Sequence, residues 1–249
     1  MKAIWQIDKS DVERVRALYD AQRNNAFVMN RIHRNVDRNI PQVTKEIFWQ
    51  AHVAALLTTQ QRSGPNTAVS RFLSARPFPL GLERFVEAEN LRQVVQTTIA
   101  DFGGIRRGPT IAKECEKNLE WLNNGGWQRC FQVTDELFND GNPATERSAA
   151  EFVDNNLTGF GPKQARNLLQ ALGLTKYEIP IDSRVTKWLN RDGFPIRLSA
   201  GPLSDSNYYN FVMDGIISLC AAADILPCVL DAVIFSSFDP EWPADQLVW

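Results

Sequence analysis

The chain has 249 residues, 44% of them apolar, with a formal net charge of −2 and an isoelectric point near 5.8. This length and apolar content exclude a disordered chain and allow one large core or two smaller ones. The near-neutral charge weighs against a nucleic-acid partner unless the basic residues share one surface.

The start, MKAIWQIDKSDVERVRALYD, turns charged at Asp8 and Lys9 and has no signal-peptide apolar run, and no later stretch reaches about eighteen consecutive apolar residues. The expectation is a cytosolic chain with no membrane segment. Residues 9 to 34 show helical periodicity, with Val12, Val15, Leu18 and Tyr19 on one face and Ser10 or Asp11 as the expected N-cap. His33 and His52 are too few and too far apart for a His-based metal site. RIHRNVDR (31 to 38) is the first of several basic runs, each of which taken singly reads as a solvated helix face.

TKEIFWQAHVAALLTTQQ (44 to 61) opens with Thr-x-Glu and carries a wide apolar stripe, as a buried helix does. Helices are expected next over 62 to 76, 82 to 89, 91 to 102 and 108 to 124, the last with Pro109 in its first turn. TDELFND (134 to 140), TERSAAEFVDNN (145 to 156), PKQARNLLQALG (162 to 173), DSRVTKWLNRDG (182 to 193), DSNYYNFVMDGIISLCAAADI (205 to 225) and CVLDAVIFSSF (228 to 238) complete the series. No alternating strand pattern competes, so the class is all-α. Cys115, Cys130, Cys220 and Cys228 are scattered without a CxxC spacing and read as buried free thiols.

LTGFGPKQARNLLQALGLTKYEIPID (157 to 182) is the most informative stretch. Gly159 and Gly161 allow a tight turn, Pro162 opens a helix and Gly173 closes it, giving a helix-hairpin-helix over about 151 to 173. Free amides at that helix N-terminus suit a phosphate of a nucleic-acid backbone. Lys163 stands where the helix dipole disfavours its charge, which suits an amine that must be neutral to act as a nucleophile. Asp182 follows nineteen positions later and either N-caps the next helix or places a carboxylate beside a developing positive charge.

LTGFGPKQARNLL followed by IPIDSRVTKWL resembles the hairpin and catalytic aspartate loop of the HhH-GPD superfamily of DNA glycosylases, above all the lysine-bearing 8-oxoguanine DNA glycosylase/AP lyases. The resemblance covers about 47 to 238. It implies a two-lobed helical fold, with a middle lobe over 50 to 165 and a second lobe formed by 1 to 49 with 174 to 249. It implies Lys163 and Asp182 as catalytic residues and a base pocket of Phe235, stacking on the base, Asp231, facing its edge through two acceptors, and Asn167. For DNA contact it implies Gly159, Gly161, Gln60 or Gln61 probing the space left by the extruded base, Arg184, and Arg106 and Arg107 in the basic turn FGGIRRGP.

The resemblance further implies a monomer acting inside the cell on double-stranded DNA with a damaged or modified base. No cofactor takes part in the chemistry, and a structural sodium, potassium or calcium ion would be held by hairpin carbonyls near Leu157 and Phe160 when DNA is bound. The chain departs from the family pattern at Thr158, Arg184 and Asp231, where proline, histidine and glutamine are usual in various members, and it has no four-cysteine iron-sulfur cluster pattern. A glycosylase for another modified base, and a non-catalytic helix-hairpin-helix binding module, are the alternatives the residues leave open.

Overall fold

The computed structural model describes residues 4–64, 66–85, 88–240 and 242, and among them there is no strand. The helices run α1 Lys9–Gln22, α2 Ala26–Arg31, α3 Lys45–Leu57, α4 Ala68–Ser74, α5 Leu91–Phe102, α6 Gly108–Trp121, α7 Trp127–Asp140, α8 Pro143–Asn156, α9 Pro162–Ala171, α10 Ser183–Arg191, α11 Ser206–Ala223 and α12 Pro227–Phe238. No single helix is long and apolar enough to cross a membrane. The hairpin between α8 and α9 and the stop at Gly173, in left-handed backbone at φ +76°, follow the sequence expectation.

Several boundaries differ, each for a local reason. The helix expected over 9 to 34 breaks after Gln22, because Asn25 caps a second start with its side chain on the Phe27 amide at 2.9 Å. Asp8 rather than Ser10 or Asp11 caps α1, in a reciprocal box with Asp11 in which each side chain accepts the other's amide at 3.0 Å. Over 62 to 76 only Ala68–Ser74 is helical, started by Thr67, and Pro65 lies outside the described residues. In the stretch 82 to 89 a short 3-10 turn spans Leu82–Phe85, and positions 86 and 87 lie outside the described residues. α7 begins at Trp127, seven residues before the expected start, because Gly125 at φ +94° absorbs the bend within a wide turn after α6.

The buried apolar residues form two clusters. One runs from Phe48 to Leu174 and takes in α3 to α9; the other joins Val15, Phe27 and Val28 to residues from Ile179 to Phe235. The boundaries at 49/50 and 165 are therefore displaced: Phe48 and Trp49 of α3, and Leu168 and Leu169 of α9, belong to the first cluster. A helix is buried as a unit along its stripe, so a lobe boundary falls in a connection rather than within a helix.

The nine residues from Leu174 to Asp182 cross from one cluster to the other, and buried polar groups hold them. The carboxylate of Glu146 accepts the amides of Lys176, Tyr177 and Glu178 at 2.9, 2.7 and 2.9 Å. Glu178 pairs with Arg166 at 2.5 Å and Arg147 at 2.9 Å, and Arg166 lies over the Tyr209 ring at 4.4 Å. The Tyr209 hydroxyl donates to the Ile179 carbonyl at 3.0 Å and accepts the Ile181 amide at 2.5 Å. Such a connection has little freedom, and it delivers Asp182 to a fixed place.

Candidate active site

A cavity of about 170 Å³ opens at the seam between the two clusters. Lys163 and Asn167 reach it from α9, Asp182 and Arg184 from the start of α10, Asp231 and Phe235 from α12, and Gln61 from the turn after α3. Residues far apart in sequence thus meet at one wall.

Lys163 is the second residue of α9, where neither its own amide nor that of Gln164 has an intrahelical partner. Burial is the main influence on its ammonium and lowers its pKa from the ordinary lysine value; Asp182 and Asp231 act the other way, and Arg184 adds to the lowering. Its Nζ donates to Gln164 Oε1 at 3.1 Å. The Gln164 amide cannot turn over, since its Nε2 donates to the Ala55 carbonyl at 2.7 Å and also to the Thr59 hydroxyl. The acceptor facing Lys163 is therefore fixed by the end of α3.

Asp182 does two things at once. Oδ1 caps α10 by accepting the Arg184 and Val185 amides at 2.8 and 2.9 Å, and Oδ2 accepts from Arg184 Nη1 at 3.1 Å. Capping orients the carboxylate without removing it from the cavity wall.

Asn167, Asp231 and Phe235 line the same cavity, and two of them are already engaged by neighbours. Phe235 is not an open stacking platform: Phe27 stacks on it at 4.5 Å, Trp242 meets it edge-on at 5.0 Å, and the Arg184 guanidinium lies 4.5 Å from the ring centre. Arg184 is held there by Asp182 and by Asp239 at 2.6 Å, a carboxylate just past the end of α12. Asp231 does not offer two acceptors, because its Oδ2 already takes Arg31 Nη1 at 2.8 Å and Gln170 Nε2 at 2.9 Å. Burial pushes the Asp231 carboxyl above the usual carboxylate range, and Arg31 opposes that push. Asn167 lines the cavity one turn beyond Lys163.

Around the hairpin the glycines divide in role. Gly159 has φ +89°, and a Cβ there would meet the Glu114 carboxylate at 2.6 Å; Gly161 is extended, and a Cβ there would face open space. Only the first glycine is demanded by the turn. Asn118 ties the turn down, its Oδ1 accepting the Thr158 amide at 2.7 Å and its Nδ2 donating to the Thr158 carbonyl at 2.9 Å and to His52 Nε2 at 2.8 Å. His52 is stacked between Trp49 and Phe160, and burial holds its pKa down at about 3. The Leu157 carbonyl accepts the Phe160 amide at 3.3 Å within the turn.

The turn after α3 and the start of α6 meet beside the hairpin. Gln61 is held, its Nε2 on the Leu57 carbonyl at 2.5 Å and its Oε1 on the Arg106 amide at 2.9 Å. Gln60 is exposed in left-handed backbone at φ 56°, and no hydrogen bond of its side chain occurs among the described residues. Of the two glutamines it is the one projecting freely at a strained position. Arg106 is exposed, with Nη2 on the Gln60 carbonyl at 3.2 Å. Arg107 turns inward to Glu114 at 3.2 Å and so is not a free phosphate contact.

Three residues of this site were not singled out by sequence reasoning: Arg31, Gln164 and Gln170. Arg31 sits within the basic run read as a solvated face, yet it is buried one turn after Phe27 on the face α2 packs against α12. Its i, i+4 relation to Phe27 is the signal that could have marked it. Among the described residues no group of three or more His, Cys, Asp or Glu is placed to hold a metal ion, and all four cysteines are buried and free.

Two helical lobes, a hairpin between α8 and α9 at their seam, and a cavity behind it make up the fold. Among solved structures it is similar to the 8-oxoguanine DNA glycosylase of Methanocaldococcus jannaschii, with 15% identity, a TM-score of 0.63 and coverage of 93% of this chain and 94% of that one. The 8-oxoguanine glycosylase/lyase of the same organism in complex with 15mer DNA containing 8-oxoguanine gives 15% identity, a TM-score of 0.67 and coverage of 93% and 98%. The 8-oxoguanine DNA glycosylase of Thermotoga maritima gives 12%, 0.64, and 93% and 97%. By sequence the chain matches no family model and no curated protein. At these identities the likeness establishes the fold.

Proposed function

We propose that this chain is a bifunctional DNA glycosylase/AP lyase that extrudes and excises an oxidised guanine. The observation that carries the reading is that Lys163, with its pKa lowered by burial, and Asp182, held by its own capping bonds, line one cavity at the lobe seam. A binding module needs neither. Extruding a nucleotide costs roughly a few kcal/mol of pairing and stacking. Gln60 at its strained, exposed position fits the role of filling the space left behind, with Arg106 beside it for a phosphate.

In the reaction the neutral Lys163 amine gives its lone pair to the sugar C1′, and the C1′–N9 bond breaks with its electrons leaving on the base, which takes up a proton. Asp182 faces the positive charge that builds on the sugar in between. Loss of a proton from nitrogen and opening of the sugar ring give the Schiff base, and removal of a C2′ proton then expels the 3′ phosphate and nicks the strand. Arg184 must leave the Phe235 ring for a base to stack there. The same movement frees Asp182 Oδ2 and brings a guanidinium toward the DNA backbone. The free amides at the head of α9 suit the adjoining phosphate, and the Leu157 and Phe160 carbonyls are where a structural cation would bind with DNA present.

The test is single-turnover cleavage of a duplex with 8-oxoguanine opposite cytosine by the wild type, Lys163→Ala and Asp182→Asn. The reading expects base release and nicking by the wild type, neither by Lys163→Ala, and a loss of about 100-fold or more for Asp182→Asn. Undiminished release by Lys163→Ala would contradict it.

A further inference from the structure

One run of hydrogen bonds joins the loop after α3 to the lysine. At the end of α3 the Thr59 amide turns to the Leu56 carbonyl at 3.2 Å, which leaves the Ala55 carbonyl without its helical partner. Ala55 accepts side chains instead, the Thr58 and Thr59 hydroxyls at 3.1 and 3.0 Å and Gln164 Nε2 at 2.7 Å. The other N–H of Gln164 Nε2 goes to the Thr59 hydroxyl, and Oε1 accepts from Lys163 Nζ at 3.1 Å. Thr59 immediately precedes Gln60, the residue at φ 56°, and Arg106 and Arg107 hold the loop from the other side through the Gln60 and Thr59 carbonyls at 3.2 and 3.4 Å. Residues 58 to 61 and 161 to 164 line one open groove of about 700 Å³ together with Asp182.

A neutral amine attacks along its lone pair. An N–H donated to a fixed acceptor removes much of the rotation about the Cε–Nζ bond, and a reacting group displaced by about 1 Å costs up to about 100-fold in rate. We infer that Thr59 and Gln164 are positioning residues that couple the loop carrying Gln60 to the aim of the Lys163 lone pair. This rests on the glycosylase/AP lyase reading of the cavity and deepens it. When the loop shifts as Gln60 enters the space left by an extruded nucleotide, Thr59 moves with it, Gln164 turns on the Ala55 carbonyl, and the acceptor facing Lys163 follows. Engagement of the loop with DNA and alignment of the nucleophile are then one coupled event. A Gln164 that only closed the end of α3 would contribute stability and no link between loop and lysine.

The experiment is single-turnover borohydride trapping on an abasic duplex, which needs Lys163 but no base excision, run as a protein concentration series up to saturation. Thr59→Val, which keeps the shape and loses the hydroxyl, should slow trapping about 10-fold with the half-saturating concentration within about 2-fold of the wild type, and Thr59→Ser should restore the rate to within about 3-fold. In a Gln164→Leu background Thr59→Val should cost nothing further, and the loss caused by Gln60→Ala should shrink by about 3-fold or more, because the route from the loop is already cut. A wild-type rate in Thr59→Val, no recovery in Thr59→Ser, or losses that multiply in the double variants would each overturn the inference and leave the lysine chemistry standing. Should Thr59→Val fail to fold, the cycle of Gln60→Ala with Gln164→Leu decides alone, a shrunken loss supporting the coupling and multiplied losses overturning it. No trapping by the wild type on the abasic duplex would bring down the underlying reading itself.

Discussion

Replacing Asn118 by alanine removes the strut under the hairpin. Asn118 is 1% exposed, and its amide makes three bonds of 2.7 to 2.9 Å to the Thr158 amide, the Thr158 carbonyl and His52 Nε2. Truncation leaves His52 Nε2 unpaired in the core, at about 1 to 3 kcal/mol, and removes two bonds to Thr158, whose exposed position lets water replace them at about 0.5 to 1.5 kcal/mol each. The net loss is about 2 to 6 kcal/mol, a large part of the whole stability of an ordinary domain. Urea unfolding followed by circular dichroism measures it, with the midpoint falling and the slope unchanged. Under conditions where the variant is still folded, its affinity for a duplex with a stable abasic analogue should drop as well, because the turn proposed to meet a phosphate is no longer fixed. A loss below about 1 kcal/mol with unaltered DNA affinity would refute the claim that Asn118 holds the hairpin.

Three further outcomes follow from the same geometry. His52 has a folded pKa of about 3 against an unfolded value of 6.5, so the unfolded chain binds a proton first; its share of stability is whole above pH 6.5 and is lost as pH falls toward 3, to roughly 5 kcal/mol in all. His52→Gln keeps an acceptor for Asn118 with no proton to gain and should flatten the pH profile of unfolding over that window; an equally steep profile would count against it. Because Arg184 helps to depress the Lys163 pKa, Arg184→Ala should move the half-maximum of Schiff-base formation to higher pH, and Asp182→Asn should move it lower; shifts of opposite sign would refute the electrostatics. Gln164→Leu releases Lys163 from its fixed acceptor and should slow trapping by up to about 100-fold with DNA affinity kept, whereas Gln164→Glu should shift the pH profile upward.

How much of this was legible in the sequence follows the range of each interaction. The turn glycine, Pro162, Gly173, Lys163 and Asp182 lie within one stretch, and local rules of helix ends and turns govern them, so the hairpin could be read directly, and with it the two side chains proposed to act in the reaction. The all-helical class was legible because the apolar periods are long and no alternating run competes. Tertiary partners were not legible. Arg31 finds Asp231 across 200 positions, and nothing near either residue marks the other. Phe235 lies on α12 and lines the cavity, but that Arg184 and Phe27 cover its ring depends on how α10 and α2 pack against α12. Arg107 beside Arg106 looked like one basic patch; a left-handed backbone at Arg107 turns one guanidinium in toward Glu114 and leaves the other out. The helix break at Asn25 was hidden because each side of the break keeps its own apolar stripe.

The most direct measurement is borohydride trapping of the wild type on an 8-oxoguanine duplex, followed by proteolysis and mass spectrometry of the cross-linked peptide. The account predicts a covalent adduct on Lys163, in the peptide that begins the helix after the hairpin, and no adduct in Lys163→Ala. An adduct on another lysine, or efficient base release with no trappable intermediate, would contradict it.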